Sequence, residues 1–584
     1  MQSFFKMFFA SLLALIIFCL VVLLFLVLFV GGLTSKDKPW IGPKSVLVLD
    51  LGRHYMEQVQ ENPLSVLRKD EETDIPGLYD VVRLLHKAKT DKNISGIYIV
   101  ANTSPNGFAA SGEIRNALMD FKQSGKFIIA HGDLITQKAF LVANVADKIY
   151  VSPQGFVEWF GFSVEYAFLK GTLEKLEIEP QVFYAGKFKS ATEPFRSDKM
   201  TEENKLQTTV WLNDLYSDFL LKTAEARKLD TSTLHRLADE GKILNAKDAA
   251  ANKLVDGLKY DDEIRDEIKT RLSLGKSDLI NFISISDYRA AGKYIKSTGE
   301  KIALIYGEGP IVDGKEEIGV ISSGNYRTLI RKARLDNTVK AIVFRVNSGG
   351  GSSLASESIW RELTLARKEK PVVVSFGDVA ASGGYYISCS ADSIFAQPTT
   401  VTGSIGVFGI IPNMQAFFKN KLGVTFDAVK TGPYADAMSI NRPMTESEKT
   451  IIQAEIDDVY TLFKKRVAEG RKRDTAYIDS IAQGRVWTGQ RAKDIGLIDR
   501  FGGIEDAIQC AARMAKLADY QVREYPEPLN LFDRIFGKSN PLSYNNKLRE
   551  EMGEENYSIY RKLKQVKQIT NTIQTRLPFD FFIH

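Results

Sequence analysis

Two copies of one sequence pattern, offset by 245 residues, run through this 584-residue chain. The run at 95–104, SGIYIVANTS, matches the run at 340–349, KAIVFRVNSG. Further along, VADKIYVSPQG at 145–155 matches SADSIFAQPTT at 390–400. Self-similarity at a fixed offset is the signature of one structural unit used more than once. We therefore predict two tandem copies of one domain.

Each copy alternates short β-branched runs with amphipathic stretches. Runs such as IVFRV and PVVVSF are bounded by Gly or Pro, which is typical of buried parallel strands, and residues 353–370 have helical periodicity. This alternation indicates an α/β fold with crossover connections. Thr201 and Thr445 are natural N-caps, and they begin two long helices predicted at 201–228 and 445–473.

The predicted organisation has four segments, since a chain of this length exceeds one ordinary domain. We predict an N-terminal transmembrane anchor at 1–40 and a first α/β repeat at 41–297. A second α/β repeat follows at 298–530, and a C-terminal tail without an assigned role occupies 531–584.

The N-terminus carries a long apolar run, from Met7 to Leu33, without a charged residue. About 20 apolar residues span the hydrocarbon core of a bilayer. The run is longer than the core of a signal peptide, and no A-x-A-like cleavage site follows it. We predict a retained anchor, with a cleaved signal peptide as the alternative.

Charge and cysteine usage exclude several classes of function. The 77 Lys and Arg residues against 72 Asp and Glu give a net charge of only +5, and no dense basic stripe indicates nucleic-acid binding. Cys19, Cys389 and Cys510 form no CxxC motif and no Cys/His cluster. We therefore expect no metal site, no cofactor and no disulfide framework.

Glycine-rich turns distinguish the second copy from the first. VNSGGGSS at 346–353 ends a strand and opens a helix, so the backbone N–H groups of Gly350 or Gly351 could hold an oxyanion. Ser404 lies in a further turn of small residues, VTGSIG, where the first copy has Trp159. The second copy is therefore the candidate for a serine nucleophile.

The first copy supplies the candidate base. A nucleophilic serine needs a base close by, yet no histidine lies between residues 236 and 583. Lys187 and Lys189 occupy places where the second copy has Pro433 and Ala435. A lysine acts as a general base when burial lowers its pKa, although most lysines are solvated surface charges. Two residues apart on a strand, these lysines would share one face, so spacing does not choose between them.

Several motifs in combination resemble a known family, the long form of signal peptide peptidase A or protease IV. The resemblance covers roughly residues 1–530 and rests on TGSIGVFG, VNSGGGS, AASGGYYIS, GKFKSATEPF and RVWTGQRAKDIGLID. That family belongs to the Clp protease/crotonase superfamily, which implies two tandem Clp protease/crotonase-like domains. One departure is Gly349, where the family commonly has Pro.

The resemblance implies a membrane-anchored serine endopeptidase that degrades cleaved signal peptides and other apolar peptides. Its Ser/Lys dyad would be Ser404 as nucleophile and Lys189 as base. The oxyanion would be held by backbone N–H groups of Gly350 or Gly351 together with that of Ser404. The family further implies a homotetramer on the cell inner membrane, single-pass, with the catalytic part on the periplasmic side.

Ser382, in AASGG, is a rival nucleophile. In the Clp protease branch the serine occupies this kind of position and has a histidine partner, which is missing here, so Ser404 is preferred. Two other functions stay open as alternatives. One is a crotonase-like acyl-CoA enzyme, because that fold also uses paired backbone N–H groups; the other is a catalytically inactive membrane scaffold or peptide chaperone.

Overall fold

The computed structural model describes residues 4, 6–18, 21–22, 39–59, 75–292, 294–315, 319–527 and 573–577. Residues 6–18 are helical. Much of the predicted anchor, including 23–33, lies outside the described residues. Within the described ranges, the helices are too short or too polar to cross a membrane.

The first copy forms a six-stranded sheet in the order β6-β4-β3-β2-β1-β7, and its neighbouring strands run parallel. The strands of this copy are β1 (Ser45–Asp50), β2 (Ile94–Val100), β3 (Phe127–Ile135), β4 (Lys148–Val157), β5 (Glu179–Ala185), β6 (Gly257–Leu258) and β7 (Phe282–Ser284). The α-helices are Leu78–Thr90, Phe108–Lys122, Gln137–Ala143, Lys170–Lys175, Glu193–Arg196, Glu202–Arg227, Thr231–Asp239, Ala246–Ala251, Asp261–Leu272 and Ile285–Ala291.

The second copy forms a sheet in the order β17-β15-β13-β11-β8-β19, to which β14 and β18 are attached beside β13. Its strands are β8 (Glu300–Glu308), β9 (Ile311–Val312), β10 (Ile321–Ser322), β11 (Val339–Ser348), β12 (Gly350–Ser352), β13 (Val372–Ala381), β14 (Ser393–Ala396), β15 (Val401–Gly403), β16 (Val407–Asn413), β17 (Val486–Thr488), β18 (Arg500–Phe501) and β19 (Tyr520–Tyr525); β20 (Ile573–Arg576) follows. The α-helices are Ser323–Leu335, Ser353–Arg367, Gly383–Ser388, Glu446–Arg471, Thr475–Ile481, Gly489–Asp494 and Ile504–Met514.

The two large sheets share one strand order. The path β18-β14-β13-β11-β8-β19 in the second copy corresponds to β6-β4-β3-β2-β1-β7 in the first. Strands β2 and β11 are buried along most of their length, because helices cover both faces of a parallel sheet. The predicted α/β fold in two tandem copies is confirmed.

The two long helices are confirmed as well. They span Glu202–Arg227 and Glu446–Arg471. The side chain of Thr201 accepts a hydrogen bond from the third residue of the first helix, and Thr445 does the same in the second. Such a cap satisfies one of the backbone N–H groups that a helix start leaves without a partner.

A third, smaller sheet joins the copies, in the order β10-β9-β12-β20-β16-β5. Strand β5 belongs to the first copy by sequence, yet it pairs antiparallel with β16 from Val407↔Ala185 to Asn413↔Glu179. The loop that follows β5 is thereby carried into the second copy. This pairing positions the candidate base.

A buried ion pair also ties the copies together. Arg345 on β11 is 0% exposed. Its guanidinium donates to Glu57 at 2.8 Å and to Glu113 at 2.6 Å, both from the first copy. It donates as well to the Ser375 hydroxyl at 2.8 Å. A buried guanidinium needs such partners, because an unpaired charge in the interior is costly.

Replacing Arg345 with methionine is expected to lower the free energy of unfolding by about 3–5 kcal/mol, because Glu57 and Glu113 would be buried without their partner. Urea denaturation measures the loss. Arg265→Met is the matched control, since Arg265 pairs with Asp261 at a site where both side chains are 53% exposed; such surface pairs contribute at most about 1 kcal/mol. Equal losses for the two variants would contradict a structural role for the buried cluster.

Candidate active site

Lys189 of the first copy meets two serines of the second. Its side chain is 1% exposed. The Nζ atom lies 2.8 Å from the Ser382 hydroxyl and 3.1 Å from the Ser404 hydroxyl. It also donates to the Ser404 carbonyl at 3.1 Å. The structure thus brings the predicted lysine together with both candidate nucleophiles.

Burial sets the protonation of this amine. The interior around Lys189 lowers its pKa well below the usual 10.5, because the ammonium form loses its hydration there. A neutral amine has one lone pair and two N–H groups. It can therefore accept a proton from one hydroxyl while it donates to the Ser404 carbonyl and to the other hydroxyl.

Two glycines make room for the lysine side chain. A methyl group built on Gly406 would lie 3.1 Å from the Lys189 Cδ atom, and one built on Gly484 would lie 2.7 Å from the Lys189 Cβ atom. Gln207 supports the same loop, since its side chain donates to the Phe188 carbonyl at 3.1 Å and accepts from the Val486 amide at 3.1 Å. These contacts hold the base in place.

Lys187 lies outside the site. Strand β5 ends at Ala185, and Gly186 takes a φ of +103°, so the chain turns before either lysine. Lys187 is consequently exposed and lies over the Phe188 ring at 5.3 Å, whereas Lys189 is buried. The expectation that the two lysines share a strand face is wrong, because neither is in the strand.

Ser382 stands at a sharp strand-to-helix turn. It follows β13 directly and precedes the helix Gly383–Ser388, with a φ of +54° and a ψ of −114°. A residue other than glycine in this region carries backbone strain, which persists where the surrounding structure holds it and is frequent at active sites. Its amide is held by the Gly403 carbonyl at 2.8 Å.

The backbone amide of Ser404 has a hydrogen-bond acceptor outside the site. It donates to the Arg485 carbonyl at 2.7 Å. This N–H group therefore already has an acceptor, as the Gly350 amide has in the Ser348 hydroxyl, and its part in holding the oxyanion stays a prediction. Gly351 lies in the ladder between Ile311 of β9 and Thr575 of β20, and its oxyanion role stays a prediction.

The glycine turn of the second copy packs against Ser382's neighbour. Gly350 has a φ of +95°, and its amide donates to the Ser348 hydroxyl at 3.1 Å. A methyl group built on Gly350 would lie only 2.6 Å from the nitrogen of Gly383. The backbone of Gly350 thus lies close to the amide of Gly383, the residue after Ser382. Two adjacent backbone N–H groups are the usual construction of an oxyanion site.

The sequence contained a signal for this arrangement. AASGG follows an apolar strand and opens a helix, which is the context of a nucleophile on a strand-to-helix turn. Only the absence of a histidine between residues 236 and 583 argued against Ser382. The structure supplies its partner from the other copy, so the objection to Ser382 does not hold.

Comparisons with known proteins agree with the two-copy organisation. Residues 120–275 and 364–518 each match the profile of Peptidase family S49. Protease 4 of Salmonella typhi is 38% identical over 469 residues, which cover 78% of this chain and 75% of that protein. Protease 4 of Haemophilus influenzae is 34% identical, covering 75% of this chain and 72% of that protein. The chloroplastic serine protease SPPA of Arabidopsis thaliana is 30% identical, covering 84% of this chain and 72% of that protein.

Among solved structures, a mutant of ClpP1 from Listeria monocytogenes matches 35% of this chain and 94% of its own, at 16% identity and a TM-score of 0.24. The relation of the two copies to the Clp protease/crotonase superfamily stays a prediction.

Proposed function

This chain belongs to peptidase family S49 and is a serine-type peptidase, and on that premise we propose a membrane-anchored endopeptidase with one Ser/Lys site built from both copies. Its proposed substrates are cleaved signal peptides and other apolar peptides. One observation carries the proposal: the buried Lys189 amine lies within hydrogen-bond distance of two serine hydroxyls.

We propose Ser382 as the nucleophile, in place of Ser404. The Lys189 amine is closer to the Ser382 hydroxyl, at 2.8 Å against 3.1 Å. The Gly383 amide belongs to the residue after Ser382, and the Gly350 backbone lies close to it. Ser404 then becomes a positioning residue, because its carbonyl and hydroxyl hold the lysine amine in orientation.

In the proposed reaction, neutral Lys189 takes the Ser382 proton as the hydroxyl oxygen attacks the scissile carbonyl. The amide of Gly383 stabilises the oxyanion, and that of Gly350 joins it by exchanging the Ser348 hydroxyl for the oxyanion; removal of one such donor costs about 2.7–4 kcal/mol in comparable sites. Lys189 then returns the proton to the leaving amine. Water hydrolyses the resulting ester by the same steps in reverse order.

The proposed location is the cell inner membrane, with a single span and the catalytic part on the periplasmic side. The charge-free run from Met7 to Leu33 supports an anchor. An anchor would hold the site close to the bilayer, where apolar peptides collect.

A serine-directed phosphonate probe tests the function on the purified full chain in detergent. We expect covalent labelling at Ser382, located by peptide mass spectrometry, and degradation of an added apolar peptide at a rate that the probe abolishes. An inactive scaffold or peptide chaperone would bind the peptide without cleaving it and would leave the probe unreacted. That result would overturn the proposal.

We also propose that the partner is a second copy of this chain, in a homotetramer. In the second copy, the segment 425–431 lies at the place that β5 has in the first copy. Each follows a residue with a positive φ, which is 68° at Gly423 before 425–431 and 58° at Glu177 before β5. Unlike β5, this segment is exposed, and Val429 is fully so. The first-copy counterpart of β16 is 162–168, whose residues alternate between partly buried and exposed. If segment 425–431 of one chain paired with segment 162–168 of another, the contact between β5 and β16 would be repeated between chains. Head-to-tail contacts of this kind close into rings.

Val429→Asp is expected to reduce the assembly to single chains, because a charge would be buried in the new strand pair. Light scattering of the detergent-solubilised protein gives the mass. Leu279→Asp serves as the control, since Leu279 is 92% exposed on the other copy and lies in neither segment. An unchanged mass for Val429→Asp would contradict this contact.

A further inference from the structure

A small polar cavity lies between the two copies. Its lining includes charged and polar side chains of both: His54, Glu57, Asn106, Glu308, Asn347 and Asp378. Three of these residues are carboxylic acids. Like charges so close together raise one another's pKa unless each has a compensating partner. The contacts of the three acids therefore decide which of them is charged.

Two of the three acids have compensating partners. Glu57 accepts two hydrogen bonds from the Arg345 guanidinium, at 2.8 Å and 3.1 Å. Asp378 accepts from the backbone amides of Ala109 and Ala110 at 2.8 Å and 3.1 Å. These amides belong to the first turn of a helix in the first copy, and a helix N-terminus stabilises an anion. The contacts favour the charged forms of both acids.

Glu308, at the end of β8, lacks such a partner. It is partly buried, and among the residues that the structure describes no ion pair involves it. Burial and the carboxylates of Glu57 and Asp378 raise its pKa to about 8, although the Glu57 amide and Arg345 favour the charged form. Near neutral pH its carboxyl is therefore mostly protonated. The other titratable groups that face it are His54, in the cavity wall, and Tyr326.

A short chain of hydrogen bonds leads from Glu308 to the oxyanion turn, which we define as residues 348–350. Glu308 pairs with Asn347, and the amide of the following Gly309 donates to the Asn347 carbonyl at 3.0 Å. The Ser348 hydroxyl donates to the Gly309 carbonyl at 2.6 Å and accepts from the Gly350 amide at 3.1 Å. The position of the Gly350 amide thus depends on where β8 ends.

Gly309 is the joint in this connection. Its φ is +91°, a conformation that favours glycine. A methyl group built on it would lie only 2.1 Å from the Gly319 carbonyl oxygen, so no larger residue fits. A movement of Glu308 out of the cavity would be taken up at this residue and would shift its carbonyl, which is the acceptor for Ser348.

We propose that Glu308 is a positioning residue for the oxyanion turn. With its proton, the carboxyl stays in the cavity beside two carboxylates, and the Gly309 carbonyl holds Ser348. Without its proton, it is repelled by both carboxylates and moves toward water. Ser348 then loses its acceptor, and the Gly350 amide is no longer aimed at the oxyanion. The inference rests on the proposed function, because it uses the same oxyanion site.

Peptide hydrolysis should therefore fall at alkaline pH as well as at acid pH. The acid limb belongs to Lys189, which must be neutral, and the alkaline limb belongs to Glu308, which must keep its proton. Such a bell-shaped profile reports one essential base and one essential acid. The fall above about pH 8 should be on the order of 10²-fold in kcat, the scale known for loss of one oxyanion donor.

The pH dependence of kcat on an apolar peptide, measured with the purified full chain in detergent, tests the inference. Glu308→Gln has a neutral side chain of the same size that cannot ionise. It should match the wild type at pH 7, keep the acid limb and lose the alkaline fall. Glu300→Gln is the matched control at the other end of β8, where Glu300 is 52% exposed and pairs with Lys340 at 3.9 Å; this variant should keep both limbs.

Two further variants keep the test decisive. Ser348→Ala should lower kcat at pH 7 and remove the alkaline fall, because the link to the Gly350 amide is cut. Glu308→Ala, which cannot ionise either, should lack the fall at a lower plateau, and it decides the matter if Glu308→Gln does not fold.

The same profiles separate this inference from the proposed function. A wild-type chain that hydrolyses the peptide without an alkaline fall would overturn the role of Glu308 and leave the peptidase intact. An unchanged fall in the Glu308 variants would do the same. A wild-type chain that hydrolyses the peptide at no pH would overturn the proposed function, and the role of Glu308 with it.

Discussion

Ser382→Ala should abolish peptide hydrolysis, with a loss in kcat on the order of 10⁶-fold, the scale known for removal of a serine nucleophile. Ser404→Ala should cost roughly 10-fold, since it removes one hydrogen bond to the base. Initial rates on an apolar peptide give both values. Ser388→Ala is the matched control. Ser388 is a fully buried serine at the end of the helix that follows Ser382, and its hydroxyl donates to the Gly384 carbonyl rather than contacting the lysine.

The pH profile distinguishes the two serines further. Removal of the Ser404 hydroxyl takes a hydrogen-bond acceptor from the ammonium form of Lys189, so the lysine pKa should fall and the acid limb of the profile should move to lower pH. A purely structural role for Ser404 would leave that limb unmoved. Full loss in Ser404→Ala, with activity kept in Ser382→Ala, would return the nucleophile to Ser404.

Lys189→Met should lower the rate by about 10²–10⁴-fold, the usual contribution of a general base, while the fold is kept. In the wild type, the neutral amine is the active form, so activity should rise with pH through the lowered lysine pKa and fall on the acid side. The residual activity of Lys189→Met should lack that rise. Lys187→Met, the control, should behave as the wild type because Lys187 is exposed.

The Lys189→Met chain should be more stable than the wild type. At pH 7 the unfolded chain binds a proton on Lys189 that the folded site disfavours, so wild-type stability should increase with pH up to the unfolded value near 10.5. Methionine fills similar volume without an amine to desolvate, so it should raise the thermal midpoint and remove this pH dependence. Full activity in Lys189→Met, or a lower midpoint, would contradict a buried neutral base.

The repeat in the sequence was enough to predict two α/β copies, because strand and helix periodicity survive in both. It also led to the pair Lys187 and Lys189, since the second copy has Pro433 and Ala435 at those places, and the family resemblance then indicated Lys189. Helix starts at Thr201 and Thr445 followed from local capping chemistry. These features depend on neighbouring residues, which a sequence displays directly.

The choice between the serines could not be made this way. It depends on how closely Gly350 approaches Gly383, the residue after Ser382, and on the distances of 2.8 Å and 3.1 Å from the Lys189 amine to the Ser382 and Ser404 hydroxyls, and both result from packing of distant segments. The separation of Lys187 from Lys189 depends on where β5 ends. The pairing of β20 with β12 and β16 could not be predicted either, because pairing between segments so far apart in the chain leaves no local sequence pattern.

On the proposed mechanism, the pairing of β5 with β16 in the third sheet determines when during synthesis this chain can acquire activity. The ribosome completes Lys189 long before Ser382, and the base is placed only when β5 pairs with β16. A nascent chain that has folded its first copy alone would therefore hold Lys189 without the burial that lowers its pKa, and without a nucleophile or an oxyanion site. If Lys189 is the base, as we propose, proteolysis is withheld until the second copy has folded onto the first, so unfinished chains do not attack their neighbours.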